Sequence, residues 1–72
     1  MIDYQDIKSS DIEHAINEYV HNEFKRKILK RRLIDGVTFD KIAEEFDRTP
    51  RQIRNIVYKD GDRVLNKIIS TY

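Results

Sequence analysis

The segment from Thr49 to Lys59 is dense in side chains that can bind DNA. Arginine can donate two hydrogen bonds to guanine O6 and N7, asparagine can pair with adenine, and lysine, threonine and tyrosine can hold phosphate oxygens. This segment has no acidic residue, and the next one along the chain is Asp60, although the chain has 13 Asp and Glu in 72 residues. The sequence therefore predicts one outward, DNA-binding face: Thr49, Arg51, Gln52, Arg54, Asn55, Tyr58 and Lys59.

The start of this segment has the signals of a helix N-terminus. Thr49 is a good N-cap, Pro50 suits the first helical position, and Gln52 three residues after the cap completes a capping box. The apolar residues Ile53, Ile56 and Val57 then form the stripe that would face the core. A helix beginning after Thr49 would therefore turn the polar residues outward.

A shorter helix is predicted immediately before it. Thr38 is its N-cap, and four apolar residues follow at the i, i+3, i+4, i+7 spacing of one buried face: Phe39, Ile42, Ala43 and Phe46. The small Ala43 suits a close helix crossing, and Asp47-Arg48 is the turn. Residues 39–58 thus fit a helix-turn-helix. Asp47 stands where glycine is common and Arg48 where an apolar residue is usual, so a plain helical hairpin with a polar face is the alternative.

The remaining chain predicts two more helices and a C-terminal extension. Ser10 and Glu13 resemble a capping box for a first helix over 11–20, and Asn22 caps a second helix that ends near 34 with Gly36 left-handed. One bent helix over 11–34 is the alternative. Residues 1–9 are expected to form a flexible arm, and residues 10–72 the domain. At Gly61 we favour a continuous or gently kinked helix, with a break as the alternative. The expected fold class is all-α, a small helix-turn-helix domain of about four helices.

Composition excludes several functional classes. The chain has no cysteine, and its two histidines, His14 and His21, lack metal-site spacing. No apolar run approaches the ~18 residues of a membrane span, and no secretory signal is present, so we expect a cytoplasmic location. Neither a glycine-rich phosphate loop nor a catalytic nucleophile setting occurs. We therefore expect neither an enzyme nor a cofactor.

Charge is distributed unevenly along the chain. Residues 1–24 hold six carboxylates and one lysine, whereas residues 25–72 hold thirteen Lys and Arg and seven carboxylates. Six of these cations lie on helix two between 25 and 32, and Lys27, Arg31 and Arg32 are the best candidates for DNA-backbone contacts. The alternative is a solvated face balanced by the acidic first helix.

The stretch RLIDGVTFDKIAEEFDRTPRQIRNIVYK resembles region four of bacterial RNA polymerase sigma factors. That family typically has a basic helix ending in glycine, a short capped helix with an Ile-Ala pair, and a Thr- or Ser-capped recognition helix. The resemblance covers roughly residues 22–60, and FDRTPRQIRNI is its most diagnostic part. With no room for other sigma regions, it implies a stand-alone protein of the type found in phages and mobile elements of low-GC Gram-positive bacteria.

The resemblance also assigns roles to residues. In that family the recognition helix reads the −35 promoter element in the major groove. Carried over, the residues expected to contact bases are Pro50, Arg51, Arg54 and Asn55. The expected backbone contacts are Thr49, Gln52, Tyr58 and Lys59, with Lys27, Arg31 and Arg32 on helix two. Primary sigma factors usually have Arg and Glu where this chain has Pro50 and Arg51, so a different DNA sequence is the expected target.

Two functions follow from the sequence as hypotheses. The first is sequence-specific binding of double-stranded DNA for transcription regulation. The second is a protein-interaction module, a sigma-like decoy, adaptor or inhibitor that docks on RNA polymerase or another protein. The acidic first helix and a C-terminal apolar stripe favour the second. That stripe either forms a homodimer surface or closes the core against helix one: Val64, Leu65, Ile68 and Ile69.

Overall fold

The structure is a computed structural model that describes residues 8–71, and the side chains of residues 8–70. In this part of the chain all regular structure is helical. The helices are α1 (Ser9–Tyr19), α2 (Glu23–Leu33), α3 (Phe39–Phe46), α4 (Pro50–Ile56) and α5 (Asp62–Thr71), and a π-helical turn (Val57–Gly61) joins α4 to α5. Because the chain stays helical from α4 into α5, it forms four rods, and the predicted all-α fold is confirmed.

The helix starts are set mainly by side-chain caps. The Asn22 side chain accepts a hydrogen bond from the Lys25 amide at 3.1 Å, and the Thr38 hydroxyl accepts one from the Lys41 amide at 3.2 Å. Each cap satisfies one of the amides that a helix N-terminus leaves unpaired. The predicted starts of α2 and α3 are therefore confirmed.

The predicted start of α1 is wrong. This helix begins at Ser9, and its N-cap is Lys8, whose side chain makes no capping hydrogen bond. Ser10 and Glu13 therefore lie inside the helix, where Ser10 cannot act as the cap. Ser9, which the sequence places in the flexible arm, is helical as well, and residues 1–7 of the predicted arm lie outside the described residues.

One core holds the helices together. It is built from aliphatic side chains that all five α-helices and the π turn contribute, with phenylalanines packed around it. The side chains that are fully buried are Ile16, Ile28, Leu29, Ile42, Ile53 and Val64. Burial of aliphatic surface on this scale is the main stabilising term for a domain without disulfides.

The C-terminal stripe closes the core against α1. Val64 is 0% exposed and Ile68 is 7% exposed, while Leu65 and Ile69 are half-buried against the same core. Val64 and Ile68 therefore cannot supply the homodimer surface that the sequence offered as one option. The other option, closure of the core against helix one, is confirmed.

The π turn decides the question that the sequence left open at Gly61. The chain stays helical through Gly61, so the continuous helix that we favoured is confirmed and the break is not; the hydrogen bonding changes from the α to the π pattern over this one turn. Gly61 is buried there against α2, and a Cβ atom at this position would lie 3.6 Å from Leu29 Cδ2. The wider turn changes the direction of the side chains, so that α4 and α5 face different neighbours.

Candidate nucleic-acid interface

Helices α3 and α4 pack against each other across a short turn. Ile42 and Ala43 of α3 and Ile53 of α4 are all buried in the common core. Ala43, at 3% exposure, has no side chain beyond Cβ to keep the backbones apart. The sequence pattern over 39–58 is therefore matched by the packing.

The turn between these helices depends on a left-handed residue. Asp47 has φ 55° and ψ 48°, and the Arg48 amide donates to the Ala43 carbonyl at 2.8 Å. This is the position where the sequence pattern commonly has glycine, since residues with a Cβ rarely adopt positive φ. Asp47 takes up the glycine conformation and so keeps the turn tight.

Helix α4 begins with the predicted capping box. The Thr49 hydroxyl accepts from the Gln52 amide, and the Gln52 side-chain oxygen accepts from the Thr49 amide, both at 3.2 Å. Pro50 occupies the first turn, where its missing N–H leaves no hydrogen bond unmade. This start fixes which side chains of α4 turn away from the core.

The outward face of α4 is the one that the sequence predicted. Ile53 and Val57 are buried. Pro50 is exposed, and so are all the polar residues of the predicted face, which runs from the cap through α4 onto the π turn: Thr49, Arg51, Gln52, Arg54, Asn55, Tyr58 and Lys59. Within residues 8–70 no carboxylate pairs with a cation of this face. The three cations and the amides are therefore available to a polyanion.

On one flank of α4, two arginines and a tyrosine contact the ring of Phe39, at the start of α3. The guanidinium of Arg32 lies 4.3 Å from the Phe39 ring centroid and that of Arg54 lies 5.7 Å from it. The ring of Tyr58 meets Phe39 edge-on at 6.1 Å. These contacts bring Arg32 from α2 beside the predicted site residues Arg54 and Tyr58, and they restrict the conformations of both arginines.

On the other flank lies a groove of about 320 Å³ between α4 and the start of α2. Its lining residues are Phe24, Arg48, Gln52, Asn55 and Ile56. Arg48 lies 4.8 Å above the Phe24 ring, and Phe24 in turn meets Phe46 edge-on at 5.7 Å. Sequence reasoning missed both Arg48 and Phe24 as site residues. The available signal was an arginine directly before the N-cap, in a turn where an apolar residue is usual.

The cations of α2 are mostly engaged within the protein. Arg31 binds Glu45 at 2.6 Å and Asp35 at 3.1 Å, and hydrogen bonding to Glu45, then Asp35, raises the pKa of its guanidinium. Arg32 donates to the Val37 carbonyl at 3.1 Å. Two of the three α2 residues that were predicted to contact the DNA backbone, Arg31 and Arg32, thus have partners within the protein.

The third predicted residue, Lys27, is exposed but on the far side of α2. Lys25 pairs with Asp60 at 3.5 Å, and Leu29 contacts Gly61, so this side of α2 faces the π turn. Two residues rotate a helix by roughly half a circle, since a turn takes about 3.6 residues. Lys27 therefore points away from the rod that contains α4.

Comparison with known proteins gives no match to any family model, curated protein or solved structure. Within the described residues no group of three or more His, Cys, Asp or Glu is placed to hold a metal ion. None of the helices described for residues 8–71 has the length and apolar character needed to cross a bilayer.

Proposed function

We propose that the protein binds double-stranded DNA sequence-specifically and regulates transcription, with α4 in the major groove. The observation that carries this proposal is the exposed face of α4. Arg51 and Asn55 are one turn apart on it, carboxylates are absent from it, and the capping box at Thr49 fixes its orientation. Side chains of these types read base edges, whereas a helix that merely faces solvent usually mixes both charges.

The roles follow from position on the helix. Arg51, Arg54 and Asn55 read bases, and Pro50 lies beside them at the first turn. Backbone phosphates are held by residues around this group: Thr49, Gln52, Tyr58 and Lys59. On α2, Arg31 is not favoured as a phosphate contact because it is paired within the protein, and Lys27 is not favoured because it lies on the far side of the helix. Arg32 lies beside Arg54 and is the α2 residue that we retain as a phosphate contact. The resemblance to region four of sigma factors points to the same docking mode.

The first test is selection of bound duplexes from a random pool, followed by Arg54→Ala on the selected sequence. We expect Arg54→Ala to cost about 1–3 kcal/mol of binding free energy and to relax specificity at one base pair. Arg63→Ala is the matched control, because Arg63 lies on α5 and hydrogen-bonds to the Tyr19 carbonyl at 3.2 Å. A uniform loss over all sequences would make Arg54 a phosphate contact instead.

Duplex binding also distinguishes the DNA proposal from the alternative function, a protein-interaction module. Val64 and Ile68 of the apolar stripe are buried, and Leu65 and Ile69 are half-buried against the same core, so the stripe gives that reading little support and the acidic α1 is what remains. If the protein shows no salt-sensitive binding to random duplex at low ionic strength, the DNA proposal is wrong. Docking on RNA polymerase or another protein would then be the function to test.

A further inference from the structure

We propose that the groove beside Phe24 binds the sugar-phosphate backbone of the DNA strand on the α2 side of α4. Arg48 is the phosphate-binding residue and Phe24 is its positioning residue. This inference rests on the proposed function, because it names which part of the DNA this surface contacts and with which residues.

The first argument is the ordered stack that holds Arg48. Phe46 fixes the Phe24 ring by an edge contact, with ring centroids 5.7 Å apart and planes at 89°. Phe24 then carries the Arg48 guanidinium 4.8 Å above its centroid. A guanidinium stacked on a ring keeps its N–H edge available for an anion while losing side-chain freedom. Arg48 is thus held in place before a ligand arrives.

The second argument is the chemistry of the lining. Phe24 and Ile56 are apolar, while Arg48, Gln52 and Asn55 are polar, and no carboxylate lines the groove. The Gln52 oxygen is taken by the Thr49 amide, which leaves the side-chain N–H group of Gln52 to donate. Apolar surface beside convergent N–H donors fits a deoxyribose with its phosphate.

The third argument is continuity with the outward face of α4. Gln52 and Asn55 belong both to that face and to the groove, so a duplex contacting one must lie close to the other. The major groove is bordered by two strands, and a helix lying in it has a phosphate backbone on each side. The groove is on the side opposite the Phe39 contacts. A strand backbone is therefore the occupant that the geometry favours over a base edge.

The experiment measures affinity and its salt dependence for Arg48→Ala on the selected duplex and on random duplex. We expect affinity to fall on the order of tenfold on both, the scale of one lost charge-assisted contact. The slope of log affinity against log salt should decrease by about 0.9, as for one phosphate. Arg48→Lys, which keeps the charge but not the planar stack, should lie between Arg48→Ala and wild type.

Lys27→Ala is the matched control, since it removes the same charge from the far side of α2. It should leave the salt slope unchanged. If Arg48→Ala behaves like Lys27→Ala, or if its loss is confined to one base pair, the inference is wrong. Should Arg54→Ala still weaken binding in that case, the proposed function stands alone. Absence of any duplex binding by the wild type would overturn both.

Phe24 is tested by a pair of variants. Phe24→Leu removes the aromatic face, and we expect it to weaken binding and lower the salt slope as Arg48→Ala does. Phe24→Tyr keeps the ring and should restore both. Thermal unfolding is measured alongside, with binding assayed well below each midpoint. A Phe24→Leu protein that is folded and binds with the wild-type slope would show that Phe24 only packs the core.

Discussion

Helices α2 and α4 both carry basic side chains at short intervals, but those of α2 mostly contact the protein itself, whereas those of α4 face outward. Five of the six cations of α2 between residues 25 and 32 have intramolecular partners: Lys25, Arg26, Lys30, Arg31 and Arg32. On α4 and the π turn, Arg51 and Lys59 are exposed, and the structure pairs neither with a carboxylate among the described residues.

The difference shows what a run of cations means in a domain this small. The cations of α2 lie within reach of carbonyl oxygens at helix ends and of carboxylates on α1, α3 and the π turn, so they connect the helices. Helix α4 lies at the surface with its apolar side inward and no carboxylate opposite its polar side. Charge density alone therefore does not distinguish the two basic surfaces, whereas the positions of the intramolecular partners do.

The largest effect that would test this comparison is expected at Arg26. Its guanidinium donates to the Val20 carbonyl and, at 2.7 Å, to the Asn17 carbonyl, and so satisfies the C-terminal end of α1. We expect Arg26→Ala to reduce the free energy of unfolding by about 1.5–3 kcal/mol, since the hydrogen bonds are charge-assisted. The melting temperature should fall by roughly 4–8 °C per kcal/mol.

Lys30→Ala is the control for this change, because it removes the same charge from the same helix. The Lys30–Glu13 pair is 4.0 Å long and partly exposed to solvent, and surface ion pairs contribute about 0–1 kcal/mol. DNA affinity measured well below the melting temperature should be unchanged in both variants. A loss of affinity in Arg26→Ala without a loss of stability would assign α2 to the interface.

What the sequence predicted well is what short-range geometry determines. Thr38, Thr49 and Gln52 act within three residues of the amides they cap, so their spacing is sufficient to place α3 and α4. The failure at α1 has the same origin, because Ser10 and Glu13 have the right spacing but the chain is already helical one residue earlier, at Ser9. A capping box requires this spacing of residues, but the spacing alone does not exclude that the helix begins at an earlier residue.

What the sequence could not predict depends on residues far apart in the chain. Arg31 and Glu45 are 14 residues apart, and Lys25 and Asp60 are further apart still. Their pairing depends on how α2 crosses α3 and the π turn, which no local pattern encodes. The Phe24–Arg48 stack was missed for the same reason, since Phe24 looked like a core residue and Arg48 like a turn residue.

A moderate effect is expected at the turn that sets the direction of α4. Asp47 has positive φ, a conformation that costs residues with a Cβ more than glycine. We expect Asp47→Gly to exceed Asp47→Ala in stability by about 1 kcal/mol, measured by denaturant unfolding. Both variants remove the carboxylate next to Arg48, so any gain in DNA affinity should be equal in the two. Equal stability of the two variants would contradict a strained turn.

The smallest effect compares one exposed lysine from each region. Lys59 belongs to the outward face of α4 where that face continues onto the π turn, and Lys27 lies on the far side of α2. We expect Lys59→Ala to lower the slope of log affinity against log salt by about 0.9 and Lys27→Ala to leave it unchanged, with both proteins as stable as the wild type. The two variants have the same net charge, so a general electrostatic attraction would reduce both slopes alike. Because that result would remove the distinction between the two helices, the difference between these two slopes is the most direct measure of which basic surface faces DNA.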